Sequence, residues 1–175
     1  MTDKKEKILQ AALELFAEDG FKPTSTSKVA KKACVSEGLI FRHFKNKDGL
    51  LEAIIKEGEE QAKVLFADIV MESDPKKLLQ KYFGLTSKFI DNPESASFWK
   101  LQYKIKWELE IYGEHKMEAL ELALTNAFKK LGYEKPELEA RFLLVFMDGL
   151  ATRFFLQNGF KYEDLFEFLK SKYKL

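Results

Sequence analysis

The sequence predicts an all-α fold made of two helical domains, a small one at residues 1–47 and a larger one at residues 48–175. Apolar residues recur at three- and four-residue spacings along nearly the whole chain, which is the pattern of helices that bury one face. Glycines, one Asp-Pro pair and one Asn-Pro pair interrupt this pattern at intervals that suit helices. No segment alternates apolar and polar residues as a half-buried strand does. A composition of 46% hydrophobic residues is sufficient for a substantial core.

The small domain is expected to contain three helices, of which the last two form a helix-turn-helix. The first helix covers residues 4–19 and ends at a glycine. The second covers residues 26–33, with the hydroxyl of Ser25 as its N-cap. Cys34 lies in the tight turn that follows, and Ser36 is expected to cap the third helix with its hydroxyl.

The third helix is expected to have an apolar inner face and a polar outer face. The inner face takes some combination of Ile40, Phe41 and Phe44. The outer face is left with Glu37, Leu39, Arg42 and His43. Because a short helix with such a polar face fits the major groove of B-DNA, we expect double-stranded DNA as a partner.

The larger domain is predicted to be a set of helices joined by short loops. A long fourth helix begins with Asn46 as its cap, runs to Ile69 and is long enough to link both domains. An Asp-Pro pair at residues 74 and 75 is a strong signal for the start of the next helix. The further helices are expected at residues 75–90, 94–112, 114–131, 136–158 and 162–173.

Charge is distributed unevenly along the chain, although the net charge is only +1. The first 47 residues carry nine lysines and one arginine against six acidic residues, whereas the remainder carries 19 basic and 22 acidic residues. A basic N-terminal domain suits binding of a polyanion at one end of the protein. The alternative is a chance excess of solvated lysines in a chain rich in Lys and Glu.

Several classes of protein do not fit the sequence. Cys34 is the single cysteine, so an internal disulfide is excluded, and one thiol with His43 and His115 far apart makes a poor metal site. No apolar run reaches the about 18 residues of a membrane span, and the N-terminus does not resemble a signal peptide, so a cytoplasmic protein is expected. No glycine-rich phosphate loop, HExxH pair or nucleophile elbow occurs, so neither an enzyme nor a cofactor is expected.

The N-terminal residues also carry a specific family pattern. The motif ILxAAxxLF at residues 8–16 is followed, without gaps, by Gly20-Phe21, Thr24, Val29-Ala30, Ala33, Val35-Ser36, Gly38, Ile40-Phe41, His43-Phe44 and Lys47. This region resembles the DNA-binding domain of the tetracycline-repressor (TetR) family. The resemblance implies a homodimeric transcriptional regulator, most simply a repressor that binds a palindromic operator and is released by a small molecule.

The resemblance and the helix geometry together assign candidate DNA contacts. Lys47, in the first turn of the fourth helix, is expected to hold a phosphate, as are Thr24 and His43. Arg42 is the main candidate for contacting a base, since a guanidinium can bind guanine O6 and N7 in bidentate fashion. Leu39 is expected near a thymine methyl group. Four further residues complete the candidate DNA-binding set: Lys28, Ser36, Glu37 and Gly38.

Glu37 has two interpretations, acceptance of a hydrogen bond from cytosine N4 or stabilisation of the positive end of its helix, and we favour the second. Gly38 is expected to let the backbone approach DNA, unless it is only a tolerated weakness in the helix.

Four positions depart from the usual family pattern. Cys34 stands where the turn usually has glycine, in a conformation that costs a side chain roughly 1 kcal/mol. Phe41 replaces a common tyrosine, so one phosphate hydrogen bond is expected to be missing. Lys28 replaces an acidic capping residue and is expected to reach a phosphate instead. Gly49 replaces a frequent acidic residue and is expected to weaken the start of the fourth helix.

Aromatic residues of the larger domain are candidates for a ligand pocket. Such a set between helices can surround an apolar or aromatic effector. The candidate ligand-binding residues are Phe98, Trp99, Tyr103, Trp107, Phe142 and Phe146. The alternative is that they form solid core, which is the commoner fate of an aromatic stripe. Glu108, Glu110 and Arg141 are expected to be solvated, although each has the charge to attract a ligand.

The last two helices are expected to form the interface of a homodimer, because their apolar residues cover more than one stripe. The candidate interface residues are Gly149, Arg153, Leu165, Phe166 and Leu169. Burial of both helices within one monomer is the alternative. Two other functions remain open: a constitutive or architectural DNA-binding dimer without an effector, and a small helical enzyme.

Overall fold

The computed structural model describes residues 3–85, 93–110, 117–157 and 159–175, and these residues form helices and loops without a strand. This confirms the predicted all-α fold. In chain order the helices are α1 Asp3–Asp19, α2 Thr26–Lys32, α3 Glu37–Phe44, α4 Lys47–Val70, α5 Pro75–Phe83, α6 Pro93–Glu108, α7 Glu118–Lys130, α8 Pro136–Leu156 and α9 Glu163–Tyr173.

Most helix starts lie where local signals predict them. The Asn46 side chain accepts a hydrogen bond from the Gly49 amide at 2.8 Å, which confirms it as the cap of α4. The carboxylate of Asp74 accepts from the amides of Lys76 and Lys77 and caps α5. This helix ends at Phe83, earlier than predicted, with Gly84 as its C-cap.

The chain divides into two compact units by its own packing, and each is described by itself. The first consists of Met1–Ala62 with Phe89–Tyr112, and the second of Lys63–Lys88 with Gly113–Leu175. Helix α4 therefore contributes to both, and α6 belongs to the first unit. The predicted boundary after residue 47 stays a prediction for the extent of the DNA-binding domain.

The core of the first unit joins the three N-terminal helices to α4 and α6. Its completely buried side chains include Ile8, Phe16, Val29, Ile40, Leu50 and Leu101. Gly58 of α4 lies directly against the ring of Phe98, since a Cβ at this glycine would be 2.0 Å from the nearest ring atom. Close packing here depends on the absence of a side chain at Gly58.

The second unit has an aromatic core between α5, α7, α8 and α9. The rings of Phe128 and Tyr173 lie 5.2 Å apart, and those of Phe83 and Tyr173 lie 6.1 Å apart. The hydroxyl of Tyr82 donates to the carbonyl of Leu143 at 3.1 Å, and burial raises the pKa of Tyr82. None of the helices in the described ranges combines the length and the apolar character that a bilayer crossing requires.

Candidate nucleic-acid interface

Helices α2 and α3 form the predicted helix-turn-helix, with one difference at a cap. The Ser25 hydroxyl accepts a hydrogen bond from the Lys28 amide at 3.2 Å, as the sequence predicts. Ser36 occupies the N-cap position of α3 but its side chain makes no capping hydrogen bond. The expected hydroxyl cap of α3 is therefore wrong.

The turn between these helices has the backbone conformation expected from the sequence. Cys34 has a φ of 54°, in the left-handed region that favours glycine, and its side chain is exposed. The amide of Val35 donates to the carbonyl of Ala30 at 3.0 Å and closes the turn. The predicted positive φ at Cys34 is confirmed.

Helix α3 presents a face of mixed character to solvent. Ile40 and Phe44 point into the core, whereas Phe41 keeps 46% of its surface exposed. The exposed positions on α3 and its C-cap are Gly38, Phe41, Arg42, His43 and Lys45. Leu39, expected on the outer face, is only partly exposed and packs against the core. A protruding aromatic ring, a guanidinium and an ammonium thus share one surface.

Arg42 and Gly38 have the access that their expected roles require. The Arg42 side chain is exposed, and no hydrogen bond or ion pair joins it to another residue in the described part of the chain. A Cβ added at Gly38 would meet no atom within 4 Å, so the backbone surface there is open. Both features leave the middle of α3 accessible to a partner.

Glu37 links the starts of α2 and α3. The hydroxyl of Thr26 donates a hydrogen bond to its carboxylate. Glu37 also lies in the first turn of α3, where a negative charge is favourable. This contact gives the carboxylate a partner within the protein, so Glu37 serves to hold the two helices together.

Lys28 forms an ion pair and is not a free cation. Its ammonium lies 2.8 Å from the Asp19 carboxylate, and Lys32 makes an equivalent pair with Glu14 at 2.8 Å. These contacts join α2 to α1. The hydrogen bond from Lys28 lowers the pKa of Asp19, and that from Lys32 lowers the pKa of Glu14. All four side chains keep between 37% and 53% of their surface exposed, so solvent screens both pairs and each adds little to stability.

Thr24 and Lys47 were expected to bind phosphate, and the structure uses both side chains inside the protein. Thr24 is 1% exposed, and its hydroxyl donates to the carbonyl of Gly20 at 2.7 Å. The Lys47 ammonium donates to the carbonyls of Phe21, Lys22 and Thr24 at 3.0, 3.1 and 3.1 Å. Its three N–H groups match these three acceptors, so no donor is left over for a phosphate.

Glu108 contacts the same loop and was not identified from the sequence, which suggested a solvated residue. Its carboxylate accepts hydrogen bonds from the amides of Phe21 at 2.9 Å and Lys22 at 2.6 Å. The partners lie 87 and 86 residues away in the chain, so no local pattern indicates the contact.

The structure gives Gly49 a steric role. A Cβ at this position would lie 2.1 Å from the carbonyl oxygen of Phe44. Gly49 therefore allows the tight passage from α3 into α4, and its expected weakening of the helix start stays a prediction.

The candidate ligand residues are distributed over both units. In the first unit Phe98 is 7% exposed, Trp99 and Tyr103 are partly buried, and Trp107 is 84% exposed. In the second unit Phe142 is 47% exposed, and Phe146 lies 6.2 Å from it between ring centroids. Phe98 packs into the core as the alternative interpretation expected. The role of the other five stays a prediction.

Two grooves differ from the expected pocket. One of about 330 Å³ in the first unit has Phe98 among its lining residues, with Leu9, Leu13 and Ile54. One of about 560 Å³ in the second unit is lined by Phe83, Tyr162 and Phe166 among others, and by none of the candidate ligand residues. Across the described ranges, no three His, Cys, Asp or Glu residues are arranged to hold a metal ion.

The candidate interface residues are partly exposed and partly internal. Gly149 and Arg153 are exposed, and Leu165 is 37% exposed. Phe166 is 7% and Leu169 is 1% exposed, because both side chains pack inside the second unit. The surface of α9 offers Phe168, which is 64% exposed, in their place.

Comparison with known proteins assigns the N-terminal region. Residues 8–54 match the family described as bacterial regulatory proteins, tetR family. The HTH-type transcriptional regulator YvkB of Bacillus subtilis (strain 168) is 46% identical over 57 residues, which cover 33% of this chain and 30% of YvkB. The matched part of this chain thus spans about a third of the length of this relative.

Solved structures resemble the fold over nearly the whole chain. A transcriptional regulator (TerR/AcrR family) from Aquifex aeolicus VF5 is 23% identical, with a TM-score of 0.68 and coverage of 98% of both chains. The structure of AibR in complex with isovaleryl coenzyme A and operator DNA has a TM-score of 0.67 at 19% identity, covering 92% of this chain and 89% of that one. Residues 8–54 thus resemble the tetR family of bacterial regulatory proteins, and the fold over nearly the whole chain resembles that of a solved transcriptional regulator.

Proposed function

We propose that this regulator is a homodimeric repressor that binds an inverted-repeat operator and is released from it by a small apolar or aromatic effector. The observation that carries the DNA-binding part is the exposed face of α3, on which Arg42 lies without an internal partner among the described residues. A short helix with this face can enter the major groove and contact base edges.

The exposed side chains of α3 and its C-cap divide the contacts to bases and to phosphates among them. Arg42 contacts a guanine, and Phe41, the exposed ring beside it, contacts a thymine methyl group in place of the partly buried Leu39. His43 and Lys45 are the exposed groups left for phosphate. Thr24, Lys28 and Lys47 act indirectly, through the contacts that fix α1, α2 and the loop between them.

An exposed apolar face on α8 supports dimerisation. Leu138, Phe142, Val145 and Leu156 keep 56%, 47%, 71% and 77% of their surface exposed. With Gly149, these residues recur at helical spacing along one side of α8. A contiguous apolar face of this kind is typical of a protein interface, and a second copy of the chain supplies an equivalent face.

The effector part of the proposal is supported by the family and by the aromatic residues that are not fully buried. One structural neighbour, AibR, was solved in complex with both isovaleryl coenzyme A and operator DNA. In this chain the side chains of Trp99, Tyr103 and Phe146 are partly buried and partly exposed. The dimer can bind DNA when the spacing of its two α3 helices matches successive major grooves. An effector releases DNA only if it binds more tightly to a dimer with a different spacing than to this one.

A constitutive DNA-binding dimer is the second candidate. It is favoured by Phe98, one of the predicted ligand residues, which packs tightly against Gly58. The two functions differ only in the response of DNA affinity to small molecules.

The experiment that tests the proposal is selection of duplexes from a random pool by the purified protein, followed by affinity measurements with a panel of metabolites. We expect an inverted repeat with half-sites about one helical turn apart. We also expect one class of compound to weaken binding by about 5- to 150-fold, the usual range of allosteric coupling. If the protein enriches no sequence from the pool, the proposed operator binding is contradicted. If it selects a site but no compound changes its affinity for that site, the constitutive dimer is favoured.

A further inference from the structure

The loop at residues 20–25 connects α1 to α2 and is held by two opposite charges that are distant in sequence. The carboxylate of Glu108 accepts from the amides of Phe21 and Lys22, at 2.9 and 2.6 Å. The ammonium of Lys47 donates to three carbonyls of the same loop and lies 4.4 Å from the centre of the Phe21 ring. The anion thus engages N–H groups of the loop and the cation engages its carbonyls, so both kinds of backbone group are satisfied.

Glu108 is the last of three charged residues on α6 that contact the end of α1 or the loop that follows it. The ammonium of Lys104 donates to the carbonyl of Glu18, and the ammonium of Lys100 lies 4.0 Å from the Glu18 carboxylate. Residues 100, 104 and 108 are four apart and therefore share one face of α6. Glu108 alone among them reaches past α1 to the loop that leads into α2.

We propose that Glu108 is a positioning residue for DNA binding: by fixing the loop at residues 20–25 it sets the position of α2, and through α2 the position of α3. The inference rests on the proposed DNA-binding function. Glu108 lies on α6 and not on the helix-turn-helix, so the exposed face of α3 depends on a residue outside the three N-terminal helices.

The mechanism follows from the geometry of the loop. Gly20 ends α1 with a φ of 100°, and Ser25 begins α2 by capping it. Only residues 21–24 lie between these two points, and the Glu108 contacts fall on the first two of them. Without the carboxylate, the amides of Phe21 and Lys22 lose their acceptors, and the direction in which the chain enters α2 is less restricted.

The test uses the full-length chain with Glu108→Ala and the isosteric Glu108→Gln, which retains one acceptor oxygen. Glu110→Ala is the matched control, because Glu110 is an exposed acid two residues further on. The first measurement, made without DNA, is amide hydrogen exchange by NMR. The second is affinity for the duplex that the wild-type protein selects from a random pool, compared with a scrambled duplex.

We expect Glu108→Ala to raise exchange at Phe21 and Lys22 on the order of ten-fold, with a smaller rise for Glu108→Gln and none for Glu110→Ala. Exchange at Leu124, in the core of the second unit, should keep its wild-type rate. Affinity for the selected duplex should fall about ten-fold, while affinity for the scrambled duplex changes little, since misplacing α3 affects contacts with bases before contacts with phosphates.

A merely structural role gives a different result. General destabilisation raises exchange at Leu124 as well, and it reduces both DNA affinities by the same factor through the folded fraction. Either that result, or unchanged exchange at Phe21 and Lys22, overturns the proposal. A wild-type protein that selects no duplex contradicts the proposed function instead, and the exchange measurement then decides the role of Glu108 by itself.

Discussion

At the scale of single residues, the role of a charged side chain depends on whether its hydrogen-bonding groups are already engaged. Lys47 has three N–H donors and three carbonyl acceptors within 3.1 Å. Arg42 has five donors, and no other described residue is bonded to its side chain. Affinity for a phosphate or a base is therefore expected from Arg42, whereas Lys47 stabilises the loop that leads into α2.

Substitution of Lys47 by Met tests this assignment. Because three carbonyls lose a charged donor, we expect Lys47→Met to lower the free energy of unfolding by about 1 to 3 kcal/mol. The salt dependence of DNA affinity should change by much less than the about one unit expected for a lost phosphate contact. Denaturant unfolding and DNA titrations at several salt concentrations measure the two effects.

Lys56→Met is the control, since Lys56 is an exposed cation on α4. It should leave stability unchanged within about 0.5 kcal/mol. A full unit lost from the salt slope of Lys47→Met, with wild-type stability, contradicts the structural role and restores the phosphate contact.

Cys34 allows a test of backbone strain. Its φ of 54° is unfavourable for a side chain, so Cys34→Gly should be neutral or stabilising by up to roughly 1 kcal/mol. Cys34→Ala retains the Cβ and should match the wild type. Thermal unfolding of the three proteins measures the difference. If glycine destabilises the protein and alanine does not, strain at this position is not the controlling factor.

Local contacts of this kind could be predicted from the sequence, whereas distant ones could not. The caps formed by Ser25, Asn46 and Asp74 join residues two or three positions apart, so residue type and order reveal them. Glu108 and Lys47 meet their partners only after the chain has folded. Their lone charges resemble solvated ones in the sequence.

At the scale of secondary-structure elements, packing decides which face of a helix is free. The periodicity of α3 predicts an apolar side but leaves the order of Ile40, Phe41 and Phe44 open. Phe41 is exposed because Ile40 and Phe44, four residues apart, take the positions that face the core. Leu39 is partly covered because it packs against the same core, so Phe41 is the more exposed of the two apolar side chains.

The contact between α4 and α6 gives a prediction at this scale. Gly58→Ala places a Cβ 2.0 Å from the Phe98 ring, so we expect destabilisation of about 1 to 3 kcal/mol from overpacking, despite the better helix propensity of alanine. Gly38→Ala is the control, because a Cβ there meets no atom within 4 Å. It should be neutral or stabilising by up to about 1 kcal/mol. Both free energies of unfolding are measured with denaturant. Equal changes for Gly58→Ala and Gly38→Ala would contradict the tight packing of α4 on α6.

At the scale of the whole molecule, the proposed function requires two copies of the chain. The first unit carries the exposed face of α3, and the second carries the exposed apolar face of α8. Sequence periodicity indicated that α8 has apolar residues in excess of one stripe, but it did not identify which residues of α9 lie inside. Phe166 and Leu169 fill the core because α9 packs beside α5, where Phe83 contacts Phe166 at 6.2 Å.

A charge on the α8 face tests the dimer. Val145 is 71% exposed, so Val145→Asp should fold normally yet shift the protein towards monomer in sedimentation experiments, with weaker binding of the selected duplex. Val64→Asp, at a site on α4 that is 75% exposed, is the control and should behave as the wild type. A Val145→Asp protein that remains as dimeric as the wild type would place the interface elsewhere.

The most direct test of the account is the base preference of Arg42→Ala. The affinity of the Arg42→Ala protein is measured on the duplex that the wild-type protein selects. It is also measured on variants of that duplex in which one base pair is changed at a time. We expect a loss of about 1 to 3 kcal/mol on the best duplex and loss of preference at one base pair in each half-site, related by the two-fold symmetry. A folded Arg42→Ala protein that keeps every base preference of the wild type would contradict sequence recognition by the exposed face of α3.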